Sequence, residues 1–220
     1  MSDYSQYLPF SQRPRRDESN VTNNWAKHTG SVLLETADVL NELPPSSWRN
    51  PTLRPDTTVR QVVGELLWLL SSTRRERAAS AIGGFFREGK LPAAAAAARI
   101  NEAAEAPPDK LVARVRELAA DSLTGSATRS MRELATAVVV AYEISEATRS
   151  AITVDPIASG AVALARSLSA PLPIRAVVKE RSLVATDADW VVGSGSKIEA
   201  TAGAIVLFLY GRHGFPAAGG

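Results

Sequence analysis

Residues 58–70 read TVRQVVGELLWLL, an apolar stretch of helical character with a single carboxylate, Glu65, in its middle. An ionised carboxylate on a buried helix face is destabilising by several kcal/mol unless it is paired or bound to a metal. Glu65 therefore lies on a solvated edge, has a partner such as an arginine or a tyrosine, or occupies a place where chemistry happens. The local pattern leaves these three explanations open.

The composition of the 220-residue chain is that of an ordinary globular domain, with 45% hydrophobic and 22% charged residues. Its 25 basic and 23 acidic side chains give a net charge of +2, so we expect no nucleic-acid partner. No apolar run approaches the ~20 residues of a membrane span, and residues 1–20 lack the hydrophobic segment of a secretory signal. We therefore expect a cytoplasmic protein with no membrane partner.

Two residue types that build many enzyme sites are scarce. The chain has no cysteine, which excludes a disulfide, a thiolate nucleophile and a cysteine-ligated metal. Its histidines are His28 and His213, so any histidine-based triad, relay or metal cluster must use one of these two. We interpret His28, one helical turn after Trp25, as a structural residue and His213, near a Gly/Pro-rich end, as an exposed one.

Helical periodicity dominates the chain up to about residue 170. Residues 1–20 are polar and aperiodic, which predicts a flexible arm. The helix that begins at residue 58 has Thr57 or Thr58 as its cap, and Asp155 is predicted to cap the last helix of this part. Further helices are predicted over residues 22–43, 74–88, 92–106, 109–123 and 129–149, of which the last is the most apolar and should be the most buried.

The helical periodicity of the sequence ends after Pro171. Residues 173–200 show β-branched alternation and turn signals, which predict short strands. Residues 201–212, TAGAIVLFLYGR, then predict one apolar helix with Gly211 at its C-cap. The predicted protein is mainly α: a flexible arm over 1–20, a helical bundle over 21–170 and a small α+β unit over 171–220. That unit is too small to hold a core alone, so it should pack on the bundle.

Two separated stretches resemble one family. Residues 50–67, NPTLRPDTTVRQVVGELL, are similar to the pattern Pro-Thr-x-Cys-x-Gly-Trp-Thr-Val-Arg-x-Val-Val-x-His-Leu of the mycothiol-dependent maleylpyruvate isomerase type proteins, a group of DinB-like helical bundles. The matching residues are Pro51, Thr52, Thr58, Val59, Arg60, Val62, Val63 and Leu66. Residues 181–212 resemble the end of the same group, which closes on an apolar helix and Gly-Arg. The resemblance extends from about Trp25 to Arg212 and implies a DinB-like up-down bundle.

The departures from the family pattern fall on its metal site. Glu65 stands where the family has its first histidine ligand. Residues 138–148, VVVAYEISEAT, align with the later part of the pattern. This alignment puts Thr136, two residues before the stretch, and Val140 at the other two ligand positions, and Glu143 at the place of a following aspartate. A zinc-type site needs three protein ligands and an open position, so we expect no bound metal. A site made of Glu65 and Glu143 alone would suit a harder, oxygen-preferring cation.

The resemblance implies a cleft lined by Glu65, Thr136, Val140 and Glu143. Arg212, which matches the Gly-Arg ending, would face substrate carboxylates or a thiol cofactor there, or else satisfy carbonyls at the end of its helix. The missing ligands favour a non-catalytic relative that binds a small ligand or a protein in this cleft.

Two further functions stay open. One is a mycothiol-dependent isomerase or thiol transferase, in which Glu65 and Arg212 are the candidate catalytic residues and mycothiol supplies the thiol that the chain lacks. Mycothiol as a cofactor would imply an actinobacterial cytoplasm. The other is a purely structural or oligomerising bundle, which leaves a homo-oligomer open.

Overall fold

The computed structural model describes residues 24–71 and 92–214. The predicted arm over 1–20 and the predicted helix over 74–88 lie outside these residues. Within them the chain forms eight helices and three strands, which confirms a mainly helical protein with a small sheet near its C-terminus. The helices are α1 (Ala26–Glu42), α2 (Val59–Ser71), α3 (Pro92–Ala104), α4 (Pro108–Leu123), α5 (Met131–Thr148), α6 (Pro156–Ser169), α7 (Leu172–Val178) and α8 (Ala202–Leu209). The strands are β1 (Arg181–Ala185), β2 (Val191–Gly193) and β3 (Ser196–Ala200).

Capping side chains set where the helices begin. The Thr58 hydroxyl accepts from the Gln61 backbone N–H, and the Gln61 side chain accepts from the Thr58 backbone N–H, which is a reciprocal capping box at the start of α2. Asp155 caps α6, as predicted, by accepting from the Ile157 N–H at 3.0 Å. These local bonds fix the ends of the two helices that flank the cavity described below.

The helices bury one contiguous hydrophobic core. α1 packs against α4 and α5, and α2 lies against α3, α4 and α5. α5 was predicted to be the most buried helix of the bundle, but it buries nine of its 18 residues, a smaller fraction than the seven of 13 that α2 buries. In the C-terminal segment, α8 buries seven of its eight residues. α8 contacts α5, α6 and β1. Because it carries no charged side chain, these elements can bury it on nearly all sides.

The C-terminal segment differs from its prediction at one point. Residues 172–178, part of the stretch predicted as strands, form the helix α7 instead. Pro173 lies in the first turn of that helix, where its missing N–H has no intrahelical partner to lose. The three strands that follow have the order β2-β1-β3, with β1 antiparallel to β2 and parallel to β3. Their buried residues belong to the same hydrophobic cluster as those of the bundle, among them Leu183, Val192 and Ile198.

None of the described helices is long and apolar enough by itself to cross a membrane. α6 and α7 reach such a length and composition only together, as a pair bent by 111°.

Candidate functional site

A cavity of about 540 Å³ lies between α2, α5, α6 and the residues that follow α8. Its volume is in the range of sites that hold small organic molecules. One face of α5 forms the longest wall, with Met131, Arg132, Ala135, Thr136, Val139, Val140 and Glu143. The other walls consist of Arg54, Glu65, Leu69, Ala165, Arg166, Ser169, Tyr210 and Arg212.

The structure brings together all five site residues named from the sequence: Glu65, Thr136, Val140, Glu143 and Arg212. Three of them lie on α5 at spacings of four and three residues, which places their side chains on one face of that helix. Glu65 approaches from α2, and Arg212 approaches from the turn after α8. The cavity is therefore built by segments that lie far apart in the chain.

Glu65 has an arginine partner, Arg54. The Arg54 Nη1 donates to the Glu65 Oε2 at 2.5 Å, and its Nη2 donates to the Glu143 Oε2 at 3.0 Å. The Arg54 and Glu65 side chains are 17% and 24% exposed, so both lie partly inside the protein. Of the three explanations for a carboxylate in this helix, the structure shows the arginine pair.

Arg54 was not singled out by the sequence analysis. It is the one basic residue in the loop over 51–58, just before the helix that carries Glu65, and this position was the available signal. Its second bond, to a residue 89 positions later, has no signature in the local sequence.

The loop that carries Arg54 is folded back on itself. Pro51 and Thr58 form an isolated antiparallel bridge, and the Thr52 N–H donates to the Thr57 carbonyl at 2.8 Å. Asn50 ties the start of the loop to the end of α5 by donating to the Ala147 carbonyl at 3.1 Å. These bonds hold Arg54 between α2 and α5, where it can reach carboxylates on both.

Glu143 is the most deeply buried charged residue of the cavity, at 1% exposure. Its Oε1 lies 2.9 Å from the Arg212 Nε, but the two groups are not aligned for a hydrogen bond, and neither atom has another hydrogen-bond partner among the described residues. Burial raises the pKa of the Glu143 carboxyl above its ordinary value, and Glu65 adds to this, while Arg54 and Arg212 act in the opposite direction. The cavity thus contains a buried carboxyl oxygen that has an ion pair and no hydrogen bond.

A turn at the end of α8 places Arg212 opposite Glu143. Gly211 has a φ of 68°, and its N–H donates to the Phe208 carbonyl at 2.8 Å. The Arg212 N–H donates to the Leu207 carbonyl at 2.8 Å, which completes a Schellman motif. The backbone therefore satisfies these helix carbonyls, and the Arg212 side chain is directed to Glu143 instead.

The balance of charge around the cavity is positive, with four arginines against two glutamates. Arg54 and Arg212 pair with the two glutamates. Arg166 lies 4.8 Å from the centre of the Tyr210 ring and donates to the Leu209 carbonyl at 3.0 Å. Arg132 is exposed, and its guanidinium has no hydrogen bond or ion pair within the described part of the chain.

The side chains at the family's ligand positions do not fit a three-ligand metal ion. Val140 offers no donor atom, and the Thr136 hydroxyl donates to the Arg132 carbonyl at 3.0 Å. Glu65 is engaged by Arg54. Over residues 24–71 and 92–214, no group of three or more His, Asp or Glu side chains is placed to hold a metal. The donor set thus disagrees with the metal centre that the resemblance implies.

Neither histidine lines the cavity. His28 Nδ1 lies 2.7 Å from the Asp155 Oδ2, so it joins α1 to the capping residue of α6, in line with a structural role. His213 is exposed, with its Nδ1 3.0 Å from the Gly214 carbonyl oxygen. The polar residues of the cavity lining are therefore two glutamates, four arginines and the hydroxyl-bearing Thr136, Ser169 and Tyr210.

No protein-family model, curated protein or solved structure matches the chain. The likeness to the maleylpyruvate isomerase type proteins accordingly rests on the residues quoted from the sequence.

Proposed function

We propose that this protein is a DinB-like helical bundle that binds a small organic anion in its cavity and lacks the metal chemistry of the family it resembles. The observation that carries the proposal is the positive charge of the cavity, where Arg132 is left without a partner in the described part of the chain. A guanidinium group in such a place binds a carboxylate with two parallel hydrogen bonds.

The remaining lining indicates the shape of the ligand. Leu69, Met131, Ala135 and Val139 supply an apolar wall beside the arginines. An apolar body is stabilised by burial against such a wall, and a few fixed polar groups then orient the ligand. A compact organic molecule with one or two carboxylates has both features.

Binding without catalysis is supported by the state of the residues at the family's ligand positions. Glu65 is the carboxylate that replaces the first histidine, and its Oε2 accepts a hydrogen bond from the Arg54 guanidinium. Thr136 and Val140 provide no metal ligand in their observed arrangement. These three side chains line the cavity and can contact a ligand without binding a metal.

Isothermal titration calorimetry tests the proposal with benzoate, phenylacetate and maleate as anions and with benzamide as a neutral analogue. The anions should bind and the amide should not. Arg132→Gln should weaken the binding of the anions by about tenfold, which corresponds to about 1.4 kcal/mol. The matched control is Arg114→Gln, which removes an exposed arginine of α4 that is not part of the cavity lining, and should leave the affinity unchanged.

Two results of this titration would contradict the proposal. Equal affinity for the amide and the acids, or no effect of Arg132→Gln, would contradict anion recognition by this cavity. If no compound of the panel binds, the purely structural bundle becomes the better description.

A second candidate function, a mycothiol-dependent isomerase or thiol transferase, is favoured by one specific observation. Glu143 is buried in the cavity, its pKa is raised by burial, and its Oε1 accepts no hydrogen bond from the described residues. Such a carboxylate is a better candidate than Glu65 for a group that takes the proton of a thiol. Mycothiol would supply that thiol, because the chain has no cysteine.

An assay of maleylpyruvate isomerisation with added mycothiol separates this candidate from simple binding. Turnover that is lost in Glu143→Gln and retained in Glu65→Gln would support the enzyme with Glu143 as its base. Absence of turnover by a folded wild-type protein that binds the anions would support the binding protein.

Zinc content is a separate test of the lost metal site. After dialysis of the untagged protein against zinc, elemental analysis should find far less than one equivalent, because a zinc site needs three protein ligands. About one equivalent of zinc that disappears in Glu65→Ala would contradict the proposal and restore the metal-dependent enzyme.

A further inference from the structure

The connection between α6 and α7 exposes large aliphatic side chains. Leu168 and Leu172 are 75% and 72% exposed, the highest values for any large hydrophobic residue in the described part of the chain. They lie on either side of the bend between the two helices, whose axes turn by 111°. We call residues 164–179 the elbow. Scattered apolar residues are normal on a surface, but two such leucines at one projecting bend are a contact feature.

The outer face of α6 continues this apolar surface. Ile157, Leu164 and Leu168 are exposed and recur at spacings of seven and four residues, so they share one side of the helix. The single charged residue of α6, Arg166, is held by the Leu209 carbonyl and the Tyr210 ring beside the cavity. The outer face of α6 therefore carries no charge over its whole length.

The charges in and next to the elbow are mostly positive. Residues 156–179 contain no acidic residue, and the first acidic residue after them is the exposed Glu180. Arg175, Lys179 and Arg181 are exposed, and none of their charged groups has a hydrogen bond or an ion pair within the described part of the chain. An apolar ridge beside unpaired cations is the chemical complement of a lipid surface with anionic headgroups.

A second copy of the chain fits this surface less well. The outer faces of α6 and α7, with 14 and seven residues, measure roughly 30 Å by 10 Å together, or about 300 Å². A stable protein interface needs about 800 Å² from each partner. A symmetric dimer through the elbow would also bring its cations close to their own copies. Binding to a membrane neither needs this interface area nor brings the cations of two copies together.

We propose that the elbow docks on the surface of an anionic membrane. Leu168 and Leu172 enter the boundary between headgroups and acyl chains, and Arg175 and Lys179 contact lipid phosphates. Docking of this kind requires no spanning helix. The proposal therefore departs from the expectation of no membrane partner, which depended on the lack of an apolar run of spanning length. The inference is independent of what the cavity binds, although Ala165 and Ser169 of the same helix line that cavity.

Vesicle co-sedimentation tests the proposal on the full chain. Wild-type protein should sediment with vesicles of phosphatidylcholine mixed with phosphatidylglycerol, should not sediment with phosphatidylcholine alone, and should dissociate as salt is added. Leu168→Asn with Leu172→Asn, and separately Arg175→Gln with Lys179→Gln, should each weaken the binding by roughly tenfold or more.

Two controls keep the outcome interpretable. Leu34→Asn removes an exposed leucine of α1 and should bind like wild type, as should Arg99→Gln with Arg114→Gln, which removes two exposed arginines elsewhere. Far-UV circular dichroism confirms that each variant is folded.

Three results would overturn the proposal. They are absence of sedimentation with both vesicle types, equal binding to neutral and anionic vesicles, and equal loss of binding in the control variants. Sedimentation velocity without lipid tests the alternative that a second copy of the chain binds the elbow. A wild-type dimer that becomes monomeric in the double leucine variant would assign the elbow to a second copy of the chain.

Discussion

Arg54 holds two carboxylates at once, one on each of two helices. Its replacement by methionine keeps most of the side-chain volume and leaves Glu65 and Glu143 without their shared cation. Because Glu143 is 1% exposed, we expect Arg54→Met to lower the free energy of unfolding by about 2–4 kcal/mol. Arg54→Lys should recover only part of this loss, since one ammonium group does not reproduce the planar fork between two carboxylates. Urea unfolding measures both variants.

The control for this experiment is another arginine in an ion pair. Arg99 pairs with Glu102 on α3, but their side chains are 56% and 66% exposed. Arg99→Met should change the free energy of unfolding by less than about 0.5 kcal/mol. An equal effect of the two methionine variants would show that burial of the Arg54 pair does not stabilise the fold.

Glu143 allows the competition between burial and its arginines to be measured as a function of pH. Its pKa in the folded protein is raised above the ordinary value of 4.5, chiefly by burial. A raised pKa means that the fold tolerates the neutral carboxyl better than the charged one. Relative to Glu143→Gln, the wild-type protein should therefore be most stable below pH 4.5 and should lose this advantage as the pH rises through the folded pKa.

The measurement is urea unfolding of both proteins at a series of pH values from below 4.5 to neutral. Glu102→Gln, which makes the same substitution at an exposed position, is measured beside it as the control. An advantage of the wild-type protein over Glu143→Gln that grows with pH would mean that Arg54 and Arg212 outweigh burial and hold the pKa below its ordinary value.

Local sequence signals account for the helices better than for the contacts between them. The capping roles of Thr58 and Asp155 are readable because a cap acts within three residues. α7 was mistaken for a strand because its valines and isoleucine fit both states, and the deciding feature is the proline in its first turn. Arg54 was missed because the pairing of a loop with α5 is a contact between distant positions.

The packing of α2 against α3 depends on a glycine. A Cβ added at Gly64 would lie 2.8 Å from the Ile100 carbonyl oxygen and 2.9 Å from the Ala104 Cβ. Alanine normally favours a helix over glycine by about 1 kcal/mol, but overpacking of this kind costs about 1–3 kcal/mol. We expect Gly64→Ala to lower the melting temperature, with a net loss of up to about 2 kcal/mol in the free energy of unfolding.

Gly214 is the control for this substitution. A Cβ there would meet no atom of the described residues within 4 Å, so Gly214→Ala should change stability by less than about 0.5 kcal/mol. Stabilisation by Gly64→Ala would show that α3 can move away from α2 at little cost, and would contradict the close approach of these two helices.

The helical bundle and the C-terminal segment share one hydrophobic core, so we expect them to unfold together. Leu183 of β1 and Leu209 of α8 belong to the same cluster of buried residues as Leu66 of α2. The Trp190 indole N–H also donates to the Ser159 hydroxyl of α6 at 3.0 Å, which connects the sheet region to the bundle. A segment joined in this way should not unfold alone, because its separation would expose apolar surface on both sides.

Leu209→Ala, a substitution in the C-terminal segment, tests whether the segment and the bundle unfold together. Leu209 is fully buried, so its truncation should lower the free energy of unfolding by about 2–5 kcal/mol. The loss should appear equally in two signals measured during urea unfolding: the helical circular dichroism, which reports mainly on the bundle, and the proton resonance of the Trp190 indole N–H, which reports on the sheet region. Both midpoints should coincide in the wild-type protein and shift together in the variant. If the Trp190 resonance is lost at a lower urea concentration while the helical signal keeps its wild-type midpoint, residues 171–214 form a separate folding unit and the shared core does not couple them to the bundle.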